Sequence, residues 1–339
     1  MTPLTGALLV GGASSRFGSP KALAHFRGET LVERAHRLLS EVCDEVLALG
    51  KAGELAAPPF PVLDDGSDAR APVFGLVEAL RRARHDVVVA LPVDVPLVTP
   101  GALRALGEAS AVPGARIPLP GAYSRALLPL LEARVARGEL SLRGVNPTTL
   151  ELPAELLADA DTPAELAALE RPGHAVVVGG TGMLAGLTRA LAERGHAVTS
   201  LSRSGREPIA GNACNSLEQA RVVSVAVDYR DEAALVKELE QAREARGPIE
   251  LAVCWIHTDA PRAPALVAEA LAPGARLVQV FGTRRWPLEN VPLHIAYRQV
   301  LLGSLGGRWL THEEISGGVL AGVLADKPTS VVGTLQVSD

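Results

Sequence analysis

Aromatic side chains make up only 3% of this 339-residue chain, so any core it forms must be built from Ala, Val and Leu. Cysteine is as scarce: Cys43, Cys214 and Cys254 lie far apart with no Cys-x-x-Cys pair. An odd count at such spacing argues against a disulfide framework or a thiolate metal site and for buried apolar residues. No apolar run is long enough to span a bilayer, and a strand begins within a few residues of Met1, leaving no room for a signal peptide. A cytoplasmic protein without membrane contact is expected. Nor is there an excess of positive charge: the net charge is −5 and the arginines are scattered among acids, which argues against a nucleic-acid-binding surface. Internal repeats and low-complexity tracts are also missing.

What is present is enough apolar sequence for two cores, 47% hydrophobic against 21% charged, and the length predicts two domains. The boundary is expected near Glu170-Arg171-Pro172-Gly173, where a helical segment, Pro163 to Leu169, ends in a Pro-Gly pair. The expected domains are 1–170 and 174–339.

The first domain opens with an apolar strand, Ala7 to Val10, that runs into Gly11-Gly12-Ala13-Ser14-Ser15-Arg16-Phe17-Gly18-Ser19-Pro20-Lys21. Glycines and small residues let backbone N–H groups face an anion, and Arg16 and Lys21 add positive charge where a polyphosphate would lie. Leu31, Ala35, Leu38 and Leu39 follow with helical spacing, so the loop is predicted to join a buried strand to a helix in an α/β sheet. The Walker pattern fails, because Ser19 and Pro20 separate Gly18 from Lys21; a dinucleotide fingerprint would leave both cations without a task.

The pattern Leu-x-Gly-Gly-x-Ser-x-Arg-x-Gly-x-x-Lys resembles the signature loop of the molybdenum cofactor guanylyltransferases, within the wider nucleotidyltransferase superfamily. Phe17 and Val10 stand where that family usually carries Met and Ala, and both keep the position apolar. Asp64 and the partial match Ala71 to Leu76 fall where the family has an acidic residue and a Gly-Pro-Leu-x-Gly segment near the guanine. The run Val87 to Leu97, a continuous apolar strand ending in an acidic residue, Asp94, and a proline, resembles the one that delivers a metal-binding aspartate. Gly138 to Arg143 and Asp159 to Leu166 resemble the closing segments, with Asp159 and Asp161 where Asn is commoner.

The resemblance implies Mg²⁺ held by Asp94 and Asp161, with Lys21 and Arg16 neutralising the triphosphate of GTP. Gly11, Gly12 and Ser14 would cradle its phosphates, Asp64 would serve the nucleoside, and Pro118 to Ala122 would face the acceptor. Each assignment has a plainer competitor. Asp94 before Val95-Pro96 is equally a turn residue, Asp161 before Thr162-Pro163 is equally a helix start, and Arg16 and Lys21 alone would be ordinary surface charges. What favours the functional reading is their joint order along the chain.

The second domain repeats the theme with a different loop. A strand, His174 to Val178, enters Gly179-Gly180-Thr181-Gly182, followed by an amphipathic segment to Arg194 and a strand from Ala197 to Leu201. Strand, glycine turn, helix, strand is the setting of a dinucleotide fingerprint: Gly179 makes the turn, Gly182 admits a pyrophosphate and Ala185 permits close helix packing. Where an acid would grip the ribose of NAD stands Ser202-Arg203-Ser204, which suits the 2′-phosphate of NADP, with a surface arginine as the alternative.

Gly179 to Gly182, Arg203, Asp228 after the strand Val222 to Val227, and the strand Ile249 to Ile256 resemble the short-chain dehydrogenases, in which Asp228 would lie beside the adenine. That superfamily pairs a Tyr with a Lys four residues on, but Tyr297 is followed there by Leu301, and on a helix the adjacent Arg298 would not share its face. Its phenol would keep an ordinary pKa and serve hydride chemistry poorly. His257 would lie near a nicotinamide, whereas His294 and His312 read as capping or surface residues. Thr311 with Glu314 forms a capping box opening a helix Glu313 to Ala325, and Ser330 to Leu335 reads as a last strand.

The fold expected is α/β, two doubly wound three-layer domains: a nucleotidyltransferase-type Rossmann-like sheet, then an NAD(P)-binding Rossmann fold. The function implied is Mg²⁺-dependent transfer from GTP to molybdopterin, giving the guanine dinucleotide and pyrophosphate, with the molybdoenzymes that would receive the product as a further partner class. The alternatives are an NADP-dependent reductase, or cytidylyl transfer to molybdopterin with the Rossmann domain as a regulatory dinucleotide sensor.

Overall fold

The computed structural model describes residues 2–10, 17–18, 20–51, 58–205, 221–282 and 285–335. They form two compact units, Met1–Glu170 and Arg171–Asp339.

In the first unit β1 (Thr5–Leu9), buried along its whole length, is followed by a hairpin of β2 (His25–Phe26) and β3 (Glu29–Thr30), then α1 (Leu31–Ser40) and β4 (Glu45–Gly50). The chain continues through β5 (Val62–Asp64), α2 (Pro72–Arg82), β6 (Val87–Pro92), α3 (Pro100–Ala109), β7 (Gly121–Ser124), α4 (Leu128–Ala136) and α5 (Pro163–Leu169). The sheet order is β5-β4-β1-β6-β7, parallel except for β7. Alternation along β1 sends Leu8 to the face covered by α1 and α3, with Leu38, Leu39 and Leu103, and Ala7 and Leu9 to the face covered by α2 and α4, with Leu76, Leu80 and Leu131.

The glycine loop was expected to pass straight into a helix, yet the hairpin intervenes. Arg27 (φ 49°) and Gly28 (φ 83°) both take left-handed backbone between the paired residues Phe26 and Glu29, the two-residue turn whose twist matches its strands. The helix Leu31–Ser40 then opens with a capping box, Thr30 Oγ1 accepting from Glu33 N–H at 3.3 Å and Glu33 accepting from Thr30 N–H at 2.9 Å.

The second unit comprises β8 (His174–Val178), α6 (Ala185–Glu193), β9 (Ala197–Ser202), β10 (Val222–Ala226), α7 (Glu232–Arg246), β11 (Ile249–Cys254), α8 (Ala263–Ala270), β12 (Leu271–Phe281) and β13 (Ala296–Leu302). A small ribbon of β14 (Ser304–Leu305) and β15 (Arg308–Trp309) precedes α9 (His312–Ala325) and β16 (Thr329–Val332). Its sheet runs β10-β9-β8-β11-β12-β13-β16, all parallel. Ala175 and Val177 face α6 and α9, whereas Val176 and Val178 face α7 and α8. Both units are therefore doubly wound, three-layer α/β folds.

Three local expectations change. The last strand ends at Val332 rather than Leu335. Tyr297 lies in β13, not on a helix; neighbours in a strand point to opposite faces, so Tyr297 packs on one side of the sheet while Arg298 pairs with buried Asp326 at 3.0 Å on the other. The close helix packing expected at Ala185 occurs at Gly186, where a Cβ would stand 2.9 Å from the Ser316 Cβ of α9. Cys254 is buried and Cys43 partly so, its thiol pushed up to about 12 by burial; Cys214 lies outside the described residues. No helix among the described residues is long and apolar enough to cross a membrane.

Candidate active site and a second nucleotide crevice

In an open parallel sheet, the crevice for a ligand opens at the carboxyl ends of the strands where the strand order reverses. In the first unit that point lies between β1 and β6, and there three of the predicted residues meet. Lys21, after the loop leaving β1, donates from Nζ to Asp94 Oδ2 at 3.0 Å and to Asp161 Oδ1 at 2.8 Å. The Lys21 side chain is 12% exposed, those of Asp94 and Asp161 31% and 43%, so the ammonium is largely covered while both carboxylates reach solvent.

Each member is held by its own backbone. A single 3₁₀ turn, Lys21–Leu23, follows Pro20 and passes into extended backbone at Ala24. Asp94 follows β6, and its carbonyl accepts from Ala160 N–H at 3.0 Å, which fastens the closing segment beside it. Asp161 stands just before Thr162, which caps α5 reciprocally with Glu165, and Asp161's own N–H donates to Glu165 Oε2 at 2.7 Å. A small apolar cluster of Phe17, Phe26, Leu31, Ala160 and Leu166 underlies these segments. Burial alone would lower the Lys21 pKa, but the hydrogen bonds and negative charges of Asp161 and Asp94 outweigh it and raise the ammonium above its ordinary value.

Sequence reasoning missed the support beneath Asp94. Arg34 of α1 is 3% exposed, lies over the Phe26 ring with its Cζ 5.2 Å from the centroid, and donates from Nε to the Pro96 carbonyl at 2.8 Å. Glu29 accepts from Arg34 at 3.1 Å and from Arg37 Nε at 3.0 Å. Its helical position gave one signal: an arginine among the apolar i, i+3, i+4 residues of α1 has to find a buried partner.

Among the described residues no three His, Cys, Asp or Glu converge as a metal cluster. An acid pair on one cation is nonetheless the donor set Mg²⁺ uses when substrate phosphates complete its shell, so the residues fit that ion.

Gly11, Gly12, Ser14 and Arg16 lie outside the described residues. Asp64 ends β5 and accepts from Gly66 N–H at 2.8 Å in a turn, while the next residue, Asp65, forms the more buried ion pair, 2.6 Å from Lys51 Nζ. Pro118 to Ala122 do not face an open crevice throughout. Pro120, Gly121 and Ala122 are buried, and Ala122 N–H donates to Ala111, because β7 packs this segment into the sheet.

The second unit has a crevice of about 490 Å³ at its own switch point. Gly179, Thr181 and Gly182 line one side, and Ser202, Arg203 and Ser204 at the end of β9 another. Gly179 takes φ +85°, and a Cβ there would meet the Trp255 carbonyl at 2.9 Å; at Gly182 a Cβ would meet open space. Tyr229, Trp255 and His257 complete the lining, the last two rings meeting edge to face at 5.9 Å. Asp228 is engaged elsewhere. It accepts from Arg230 Nε at 2.9 Å, and this bond, then the Arg230 backbone N–H, holds its carboxyl down to about 2, with Arg203 adding to the field.

Tyr297 is outside this crevice: its hydroxyl donates to Gln279 Oε1 at 2.7 Å and accepts from Leu288 N–H at 3.2 Å. Burial pushes the phenol up to about 12, the opposite of what a proton donor to a carbonyl needs.

A family model described as a MobA-like NTP transferase domain matches residues 6–152. A Deinococcus radiodurans protein described as a probable molybdenum cofactor guanylyltransferase is 35% identical over 193 residues, 51% of this chain and 97% of that protein. The molybdenum cofactor guanylyltransferase of Pseudomonas syringae pv. syringae is 34% identical over 186 residues, 49% of this chain and 92% of that protein. Among solved structures, a metagenomic short-chain oxidoreductase in complex with NADP is similar at 17% identity and a TM-score of 0.36, over 49% of this chain and 98% of that one. By its amino-terminal half, the chain belongs to the MobA-like NTP transferase family.

Proposed function

We propose that the amino-terminal domain transfers the guanylyl group of GTP to the terminal phosphate of molybdopterin and releases pyrophosphate. The observation that carries the chemistry is the meeting of Lys21 with Asp94 and Asp161 at the ends of β1 and β6; the choice of GTP and of the pterin rests on what the relatives are named for. An acceptor phosphate oxygen forms a bond to the α-phosphorus, the bond from that phosphorus to the α,β-bridging oxygen breaks, and the electron pair leaves with pyrophosphate. The nucleophile is already an anion, so no general base is required.

Bound Mg²⁺ would neutralise charge on the phosphate oxygens, with Asp94 and Asp161 as its protein ligands. Lys21 exchanges its carboxylate partners for phosphate oxygens as the triphosphate enters, acting as a compact point charge on the leaving group. Gly11, Gly12 and Ser14 are assigned to hold the phosphates through the loop backbone, Arg16 to add a second positive charge, and Asp64 to the nucleoside end, on the strength of the sequence pattern. Incubation with Mg²⁺, molybdopterin and either GTP or CTP, read by pyrophosphate release, tests the assignment. GTP alone should give pyrophosphate and the dinucleotide, and a preference for CTP would overturn it.

The carboxy-terminal domain is assigned to bind a phosphorylated adenosine of the NADP(H) type through Gly179, Gly182 and Arg203, without hydride transfer. The distance in role between Tyr297 and the crevice favours binding over reduction. NADPH consumption should stay at background across a panel of carbonyl substrates.

A further inference from the structure

Among the described residues, the crevice of the second domain is furnished on one side only. Its described lining comes from the turn after β8, the end of β9, the segment after β10 and the two rings after β11; none comes from β12 or β13. A dinucleotide in such a sheet straddles the switch point, one nucleotide on each side of it, so the second nucleotide would have to lie over β11 and β12.

That ground is covered by an indole. The Trp255 Cβ lies 3.3 Å from the position a Cβ would take at Gly179, and its far ring atom, Cη2, lies 3.5 Å from the same position at Gly282. Gly179 follows β8 and Gly282 follows β12, with β11 between them in the sheet, so the side chain lies over the end of β11 with its Cβ against the β8 turn and its ring tip at the end of β12. It is pinned along its length: partly buried against the cluster beneath α6 and α9, met edge-on by His257, and joined at Gly282 by the Trp309 ring, whose Cη2 lies 3.6 Å from that Cβ position. On the open side are the parts one nucleotide needs: free space over Gly182, the Arg203 guanidinium flanked by two hydroxyls, and the Tyr229 ring for a base to lie against.

We propose that this crevice takes a single adenine nucleotide carrying a phosphorylated ribose and does not accommodate the nicotinamide half of a dinucleotide, Trp255 being the wall that ends it. The proposal rests on the reading of Arg203 as a phosphate ligand. It makes the domain a mononucleotide receptor on a dinucleotide fold.

The test uses the full-length protein and isothermal titration with adenosine 2′,5′-bisphosphate, NADP⁺ and nicotinamide mononucleotide. The bisphosphate and NADP⁺ should bind with dissociation constants within about threefold of each other, because the nicotinamide half adds no contacts, and the mononucleotide should not bind. In saturation-transfer NMR of the NADP⁺ complex, adenine protons should receive magnetisation from the protein and nicotinamide protons should not. Trp255→Gly should then favour NADP⁺ over the bisphosphate by about tenfold or more, the worth of a few added contacts. Tighter binding of NADP⁺ to the unaltered protein by more than threefold, or transfer to its nicotinamide protons, overturns the proposal and leaves the Arg203 reading standing. Failure of both ligands to bind removes the Arg203 reading and the proposal together. Should the glycine variant not fold, the titrations and the NMR of the unaltered protein decide.

Discussion

The two domains gather polar side chains at the same point of the same kind of sheet, but they furnish it differently. At the ends of β1 and β6 a lysine stands between two carboxylates. Around the ends of β8, β9, β10 and β11 there are an arginine, hydroxyls and three aromatic or imidazole rings, and the nearby Asp228 is tied to Arg230. The parallel sheet supplies the location in both cases, and the few residues at the strand tips supply the chemistry. An acid pair with a cation between them suits a reaction in which charge builds on phosphate oxygens. A cation with aromatic walls suits holding a phosphorylated nucleoside in place.

The contrast can be broken most forcefully at Asp94. Asp94→Asn should lower the rate of pyrophosphate release by about 10³-fold, the scale of losing a key electrostatic group, with no change in nucleotide binding by the second domain. Equal loss at both crevices would mean the two domains are not separate in function. Arg34→Met tests the support under Asp94. Removing one partner of the buried Arg34–Glu29 pair should cost about 3 kcal/mol in urea unfolding, confined to the first domain's transition. Asp161→Asn should reduce turnover by only about tenfold and raise the Mg²⁺ concentration needed, since an amide oxygen can still approach the cation.

The smallest effect is one of pH. The folded-state pKa of Lys21 lies above its unfolded value, so the stability it contributes is complete below about pH 10.5 and is lost only as pH rises through the folded value. The difference in melting temperature between the wild type and Lys21→Met should therefore be constant from neutral pH to about pH 10 and close beyond it. A difference that already fades near neutrality would contradict the paired ammonium.

Much of this was legible in the sequence, for identifiable reasons. Fully buried strands such as Thr5–Leu9 and His174–Val178 read as short apolar runs into glycine, the helix start at Thr162 read from Pro163 at the first helical position, and that at Thr311 from the capping box with Glu314. Asp94 and Asp161 are 67 residues apart, and only the order of segments in a related family suggested that both serve one cation site; that Lys21 bridges them was not legible. The hairpin before α1 was hidden because Arg27 takes left-handed backbone without being glycine or asparagine. Tyr297 misled because the resemblance to the short-chain dehydrogenases suggested a helical Tyr, whereas Ile295, Tyr297 itself and Val300 are residues that favour a strand. Trp255 carried no motif at all; what it does depends on the glycines at either end of its ring, 103 residues apart in sequence.

The most direct test of the central claim, that the carboxylates around Lys21 form a cation site for a triphosphate, is a Mn²⁺ titration read by electron paramagnetic resonance with GTP present. The wild type should bind one GTP-dependent Mn²⁺ in the amino-terminal domain, and Asp94→Asn should lose it while keeping its fold. Undiminished Mn²⁺ binding by that variant would contradict the account.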